Sequence, residues 1–249
     1  MDQVTITAAS GMRARLESLE LLANNISNIS TAGYKADREF YSLFQAADAA
    51  GAQSETGSGA AVLPVIESNW IDFSQSTLTA TGNPLDLALD GQGLFGVQGP
   101  GGPLYTRGGP FRLSRQGILE TREGYPVRTV EGPPIRVPNT SQPVEIGADG
   151  IVRQEGQALG TVEVINTPPA GQIAKQGGNY FRLVTPNPAP GRASQSMVQQ
   201  GKLEASNVGA AEAAVRLVSV MRQFEMLQRA ISLGGEMNRR AVEEVARVG

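Results

Sequence analysis

Proline divides this chain into parts that can be helical and a part that cannot. All 15 prolines fall between Pro64 and Pro190, and residues 1–63 and 191–249 contain none. Proline lacks the backbone N–H and its ring clashes with the preceding helical turn, so a long middle segment is closed to extended helix. Both ends remain open to it. The N-terminal end uses the freedom with Ala9, Met12, Leu16, Leu19, Ala23 and Ile26 at steps of three and four, one apolar stripe on a helix. Arg13, Arg15, Glu17 and Glu20 lie off that stripe, and Asn24, Asn25, Ser27 and Asn28 crowd its end before a break at Gly33. The C-terminal end carries a longer seam: Ala210, Ala213, Leu217, Val220, Phe224, Leu227, Ile231 and Gly234 follow heptad spacing. Glu212–Arg216, Glu225–Arg229, Glu236–Arg240 and Glu243–Arg247 each place Glu four residues before Arg, supporting a helix from about Asn207 to Val248.

Between the ends the pattern is β. Leu85, Leu87 and Leu89 alternate with Asp86, Ala88 and Asp90, a period of two that puts both aspartates on a wet outer face. Gly91-Gln92-Gly93 then reads as a turn before a second strand at Leu94–Val97. Further short strands are predicted at 104–107, 111–114, 118–121, 135–137, 144–146, 151–154, 161–165 and 180–184, with turn residues between them. Residues 45–59, rich in Ala, Gly and Ser, read as a mobile linker. The fold class expected is α+β, with long N- and C-terminal helices pairing as a coiled-coil-like domain and a central all-β domain.

Composition removes several functions. The chain has no Cys and no His, which excludes disulfides, thiolate chemistry and the commonest general base and zinc ligand. A net charge of -3 gives no basic face for nucleic acid. No apolar run approaches the roughly 20 residues that cross a bilayer, and the N-terminus lacks the pattern of a cleaved secretory signal. Gly91 to Gly96 spells G-x-G-x-x-G, but Pro100 and Pro103 follow where a dinucleotide site needs a helix, so a hairpin turn is the reading. Asp86 and Asp90 would stand roughly 13 Å apart along a strand, too far for a glycosidase carboxylate pair. Neither an enzyme, a metal, a cofactor nor a small-molecule substrate is indicated. A dimerising coiled-coil binding module and a Ser/Asp hydrolase are the readings left beside a structural one.

Three segments carry a resemblance. Leu21-Leu22-Ala23-Asn24-Asn25-Ile26-Ser27-Asn28-Ile29-Ser30-Thr31-Ala32-Gly33-Tyr34-Lys35 resembles the N-terminal signature of bacterial flagellar rod and hook axial proteins. Thr81 to Phe95, followed by Tyr105-Thr106-Arg107, resembles their shared β domain. Gln200-Gly201-Lys202-Leu203-Glu204-Ala205-Ser206-Asn207-Val208 is similar to the motif that enters their C-terminal helix. Within that family the start Met1-Asp2, the run Lys35-Ala36-Asp37-Arg38 and the length favour a proximal-rod type, with the distal-rod type as the alternative.

The resemblance implies a discontinuous helical assembly domain at 1–35 and 205–249, a partly flexible connecting segment at 36–80 and a β-rich outer domain at 81–204. It implies a torque-transmitting subunit of the flagellar basal body, spanning the periplasm and exported by the flagellar type III apparatus without a cleaved signal. Its partners would be copies of itself, other rod proteins and that apparatus. The assembly interface expected on this basis comprises Leu16, Leu19, Ala23, Asn24, Asn25, Ile26, Asn28, Leu203, Glu204, Asn207, Leu217, Val220, Phe224, Leu227 and Ile231, with the N-terminal stripe facing the C-terminal seam.

Overall fold

A computed structural model describes residues 3–45, 62–169, 171–184, 191, 193 and 196–248. Most of the predicted linker at 45–59 lies outside the described residues. Helix α1 (Gln3–Ser27) is followed by β1 (Asp37–Gln45) and β2 (Val62–Ile71), which pair as a two-stranded ribbon. Fourteen short strands come next: β3 (Leu78–Ala80), β4 (Leu87–Asp90), β5 (Leu94–Gly99), β6 (Gly102–Thr106), β7 (Phe111–Leu113), β8 (Leu119–Thr121), β9 (Glu145–Ile146), β10 (Ile151–Gln154), β11 (Gln157–Thr161), β12 (Val164–Ile165), β13 (Ile173–Lys175), β14 (Tyr180–Leu183), β15 (Met197–Gln200) and β16 (Lys202–Glu204). Helix α2 (Ala210–Val248) closes the chain; its 39 residues span about 58 Å at 1.5 Å per residue.

The chain forms two compact units. The β-rich unit comprises 28–36 and 71–208, and the helical unit comprises 1–27, 37–70 and 209–249. In the β-rich unit the largest sheet runs β12-β5-β6-β14-β13, beside a three-stranded sheet β11-β10-β9 and the pairs β15-β4, β16-β3 and β7-β8. Strands from residues 197–204 close on strands from residues 78–90, Val198 opposite Leu89 and Leu203 opposite Thr79. Leu87, Leu89, Phe95, Val97, Val127 and Val152 are fully buried in one apolar cluster, each such side chain contributing about 1.5–3 kcal/mol. Leu94, Tyr105 and Phe181 form a second, with Phe73 tilted against Phe181 at 5.3 Å.

Two strand-level readings change. Asp86 does not face water: it is buried, and its carboxylate accepts the Asn83 side-chain amide at 3.0 Å, while Asp90 is exposed. Leu87, Ala88 and Leu89 are all fully buried, because both faces of β4 are covered. Gly91 and Gly93 form a turn and not a hairpin, since β4 pairs with β15 and β5 with β6 and β12, and Gly96 lies within β5.

In the helical unit the coiled-coil-like pairing expected of the terminal helices is overturned, although the α+β class stands. Among its described side chains, α1 buries Ala8, Gly11, Ala14, Ser18, Leu22 and Asn25, mostly small. Of the stripe expected to face the C-terminal helix, Ala9, Leu16 and Ala23 are exposed, Leu16 at 46%, and Met12, Leu19 and Ile26 are only half-buried. Small side chains let the two backbones approach, and a Cβ on Gly11 would meet the Leu227 side chain at 3.4 Å. Ser18 fits this face because its hydroxyl donates to the Ala14 carbonyl at 3.0 Å. On α2 only Ala213 and Val220 of the seam are fully buried, and every described residue after Gly234 is exposed. A coiled coil would bury large a and d residues along a continuous seam. Arg216 pairs not with Glu212 but with Glu39 of the ribbon at 2.7 Å.

Gly109 tests the tightness of the β-rich unit. A Cβ there would lie 1.5 Å from the Leu87 carbonyl oxygen, whereas a Cβ on Gly156, φ +80, would meet nothing within 4 Å. Gly109→Ala is expected to lower the urea unfolding free energy by about 3 kcal/mol or more. Gly156→Ala is expected to lower it by only about 1–2 kcal/mol, the cost of a side chain at positive φ.

Candidate functional site: a buried ionic junction

Three segments far apart in sequence meet in the interior of the β-rich unit. The turn after α1 brings Gly33, Tyr34 and Lys35; the end of β6 brings Arg107; the end of β16 brings Glu204. Lys35 and Glu204 have fully buried side chains, and Arg107 is 3% exposed. The Lys35 ammonium donates to Glu204 Oε1 at 2.7 Å and the Arg107 Nε donates to Glu204 Oε2 at 2.5 Å. Two cations therefore share one carboxylate, and the remaining donors must find other acceptors. They do so on the backbone. Arg107 donates to the carbonyls of Gly93 at 2.6 Å, Gly91 at 2.6 Å and Leu89 at 3.0 Å. Lys35 donates to the Ser74 carbonyl at 2.6 Å. Glu204 Oε1 also accepts the Ser76 N–H at 2.8 Å. Burial pulls the Lys35 amine below its ordinary range, with the Glu204 hydrogen bond and charge opposing that pull.

Local sequence explains the approach. Gly33 has φ +68, and a Cβ there would sit 2.4 Å from the Arg107 carbonyl carbon, so only glycine lets the two backbones touch. The Gly33 N–H then donates to the Glu204 carbonyl at 2.7 Å. Lys175, on β13, donates to the Lys35 carbonyl at 2.9 Å and lies over the Tyr34 ring at 4.3 Å from its centroid. Asn207 reaches the same stretch, accepting the Ala36 N–H at 2.8 Å and donating to the Asp72 carbonyl at 2.7 Å.

The arrangement can hold chain segments in register. Its carboxylate and both cations face the interior. Among the described residues no group of three or more His, Cys, Asp or Glu is placed to hold a metal.

The structure distributes the sequence-predicted site residues widely. Glu204 lies at the centre of the junction, with Asn207 and the half-buried Leu203 beside it. Asn25 is buried and bonds Asp37, and the Asn28 side chain accepts the Thr31 hydroxyl at 3.1 Å. Leu19 and Ile26 are half-buried on α1, and Leu16, Ala23 and Asn24 are exposed. Leu217, Phe224, Leu227 and Ile231 are half-buried on α2 and Val220 is buried. Sequence reasoning missed Lys35 and Arg107 as functional residues. Their signal was available: each is a lone cation at the end of a Gly- or Tyr-containing motif, and the third motif contains a carboxylate.

Comparison with known proteins bears on the same three segments. Residues 7–35 match the family described as "Flagella basal body rod protein", residues 88–154 match "Flagellar hook protein FlgE/F/G D1 domain", and residues 199–244 match "Flagellar basal body rod FlgEFG protein C-terminal". Each matched region supplies one member of the ionic triad. The chain is 32% identical over 250 residues to the flagellar basal-body rod protein FlgF of Caulobacter vibrioides, covering 100% of both chains. It is 32% identical over 256 residues to FlgG of the same organism, covering 94% of this chain and 96% of the relative. With FlgF of Mesorhizobium japonicum the identity is 30%, over 90% of each.

Removing the shared carboxylate should be costly. Glu204→Gln leaves Lys35 and Arg107 without a counter-charge in a dry interior, and a loss of about 3–5 kcal/mol is expected in urea unfolding of the β-rich unit. Glu17→Gln, which breaks the exposed Arg13–Glu17 pair at 3.2 Å, should change stability by less than about 0.5 kcal/mol.

Proposed function

The chain belongs to the flagellar basal-body rod protein family, and on that premise we propose that it is a proximal-rod subunit of the FlgF type, polymerising through outward faces of its two terminal helices. As a member of that family it is a structural rod protein and not an enzyme. It is part of the flagellar basal body and assembles with other rod components. End-to-end similarity to a FlgF protein supports the FlgF assignment. The distal-rod FlgG type is the second reading, favoured by equal identity over a slightly smaller share of the chain.

The observation that carries the mechanism is the apolar surface the helices leave uncovered. On α1, Ala9, Leu16 and Ala23 are exposed, with Met12, Leu19 and Ile26 half-buried beside them. On α2, Val215 is 72% exposed, Met226 60% and Leu233 59%. Monomeric proteins rarely expose such extended apolar rows unless something binds them. Copies of the same chain and neighbouring rod proteins would cover these rows in a heterologous, non-closing contact that builds a tube. The β-rich unit would form the outer wall of a drive shaft spanning the periplasm. Its subunits would leave the cell through the flagellar type III export apparatus without a cleaved signal. No described helix is long and apolar enough to cross a membrane.

The test is a double variant, Leu16→Asp with Met226→Asp, in a strain lacking the wild-type chain. Both positions point away from the packed helix faces. The expected result is a purified protein with unchanged circular dichroism and unfolding midpoint, absent from isolated basal bodies, in cells that do not swim. Normal incorporation and swimming would refute assembly through these faces. A cryo-EM map of the basal body with the wild-type chain located separates the proximal from the distal position.

A further inference from the structure

One row of exposed side chains on α2 carries two thioethers. Val215, Met226 and Met237 recur at steps of eleven residues, about three helical turns, so they stand above one another on one face. Leu233, four residues before Met237, lies on the same row. All four are exposed, Met226 at 60% and Met237 at 71%. Met226 also lines a groove with Val215, Val218 and Arg222. The other described methionines are placed differently. Met221 is exposed but stands about 140° round the helix from Met226. Met12 is half-buried on α1, and Met197 is exposed on β15 in the β-rich unit.

The chain has no cysteine, so no thiol competes for a peroxide and the thioethers are its oxidisable sulfur. In that reaction a sulfur lone pair attacks one peroxide oxygen. The S–O bond forms as the O–O bond breaks, and the departing oxygen takes up the peroxide's protons and leaves as water. Sulfur loses two electrons and the peroxide gains them. A flexible apolar side chain becomes a polar, chiral sulfoxide. The free chain tolerates the change, because both side chains already face solvent. A partner packed over the row would have to desolvate the new oxygen or satisfy it with a hydrogen bond. Reduced methionine suits such a face, its unbranched thioether filling irregular gaps.

We propose that Met226 and Met237 are an oxidation site on the assembly face: a peroxide converts them to sulfoxides in the free chain, and the modified chain is kept out of the polymer. The exclusion rests on the assembly reading given above. The oxidation does not, and it is measured on the isolated chain.

First, the purified full-length chain is treated with hydrogen peroxide and its sulfoxides are quantified by peptide mass spectrometry. Met226 and Met237 should oxidise at least fivefold faster than Met12, with circular dichroism unchanged. Second, cells express the parent chain together with Met226→Leu/Met237→Leu, which keeps the row apolar and cannot be oxidised. Sublethal peroxide should enrich the leucine chain in isolated basal bodies at least threefold, whereas a Met197→Leu chain should not be enriched. Met226→Gln with Met237→Gln, polar where the sulfoxide would be, should be incorporated at least tenfold less than the parent. Equal oxidation of Met12, an unchanged ratio under peroxide, or equal enrichment of Met197→Leu would overturn the proposal. So would normal incorporation of the glutamine pair; exclusion of Leu16→Asp with Met226→Asp in the same strain would then leave the assembly reading standing. Normal incorporation of both would remove that reading as well.

Discussion

A carboxylate shut away from water must be neutralised where it lies, and Glu204 is neutralised by two cations that reach it from 97 and 169 residues away. Most of the β-rich unit can be traced outward from that requirement. Arg107 cannot turn toward Glu204 without also gathering the carbonyls of Leu89, Gly91 and Gly93, which fixes the turn between β4 and β5. Lys35 cannot reach it unless Gly33 lies against the Arg107 backbone. Glu204 itself arrives on β16, whose pairing with β3 places the start of the C-terminal segment. Compared with a well-packed apolar trio, such a triad is no large net stabiliser. Its physical role here is specification: misplaced register leaves an unpaired charge in a dry interior, which costs several kcal/mol.

The helical unit follows a different logic. Small residues on α1 accept α2 closely, and larger apolar side chains on both helices are left facing outward. Strong burial inside one chain would satisfy the helices and leave nothing for assembly. Ala8, Gly11, Ala14 and Ser18 are buried on α1, whereas Leu16 on α1 and Val215, Met226 and Leu233 on α2 are exposed, which separates the two demands. The Glu39–Arg216 pair adds a fixed point between ribbon and helix.

Much of this was legible in sequence, for identifiable reasons. Proline placement and a period near 3.5 located both helices, and the β10 strand at Ile151–Gln154 was read to the residue. Ribbon strands β1 and β2 were missed in a stretch read as connection, β15 was not predicted, and β16 was hidden in a motif read only as a helix approach. Residues 161–165 were read as one strand, but the chain breaks there into the end of β11 and the start of β12. The face of α1 was misassigned because hydrophobicity weights Leu and Met above Ala and Gly, whereas close helix packing rewards small size. The triad members could each be seen. Their convergence could not, because pairings over 97 and 169 residues leave no local periodicity.

The most direct measurement of the central claim is a double-mutant cycle between Lys35→Met and Glu204→Gln, read by urea unfolding of the full-length chain. If the two side chains neutralise each other inside the β-rich unit, the double variant will be more stable than the sum of the single losses allows, by at least about 1.5 kcal/mol. Single losses that simply add, within about 0.5 kcal/mol, would show that the two residues do not sense each other and that register is set elsewhere.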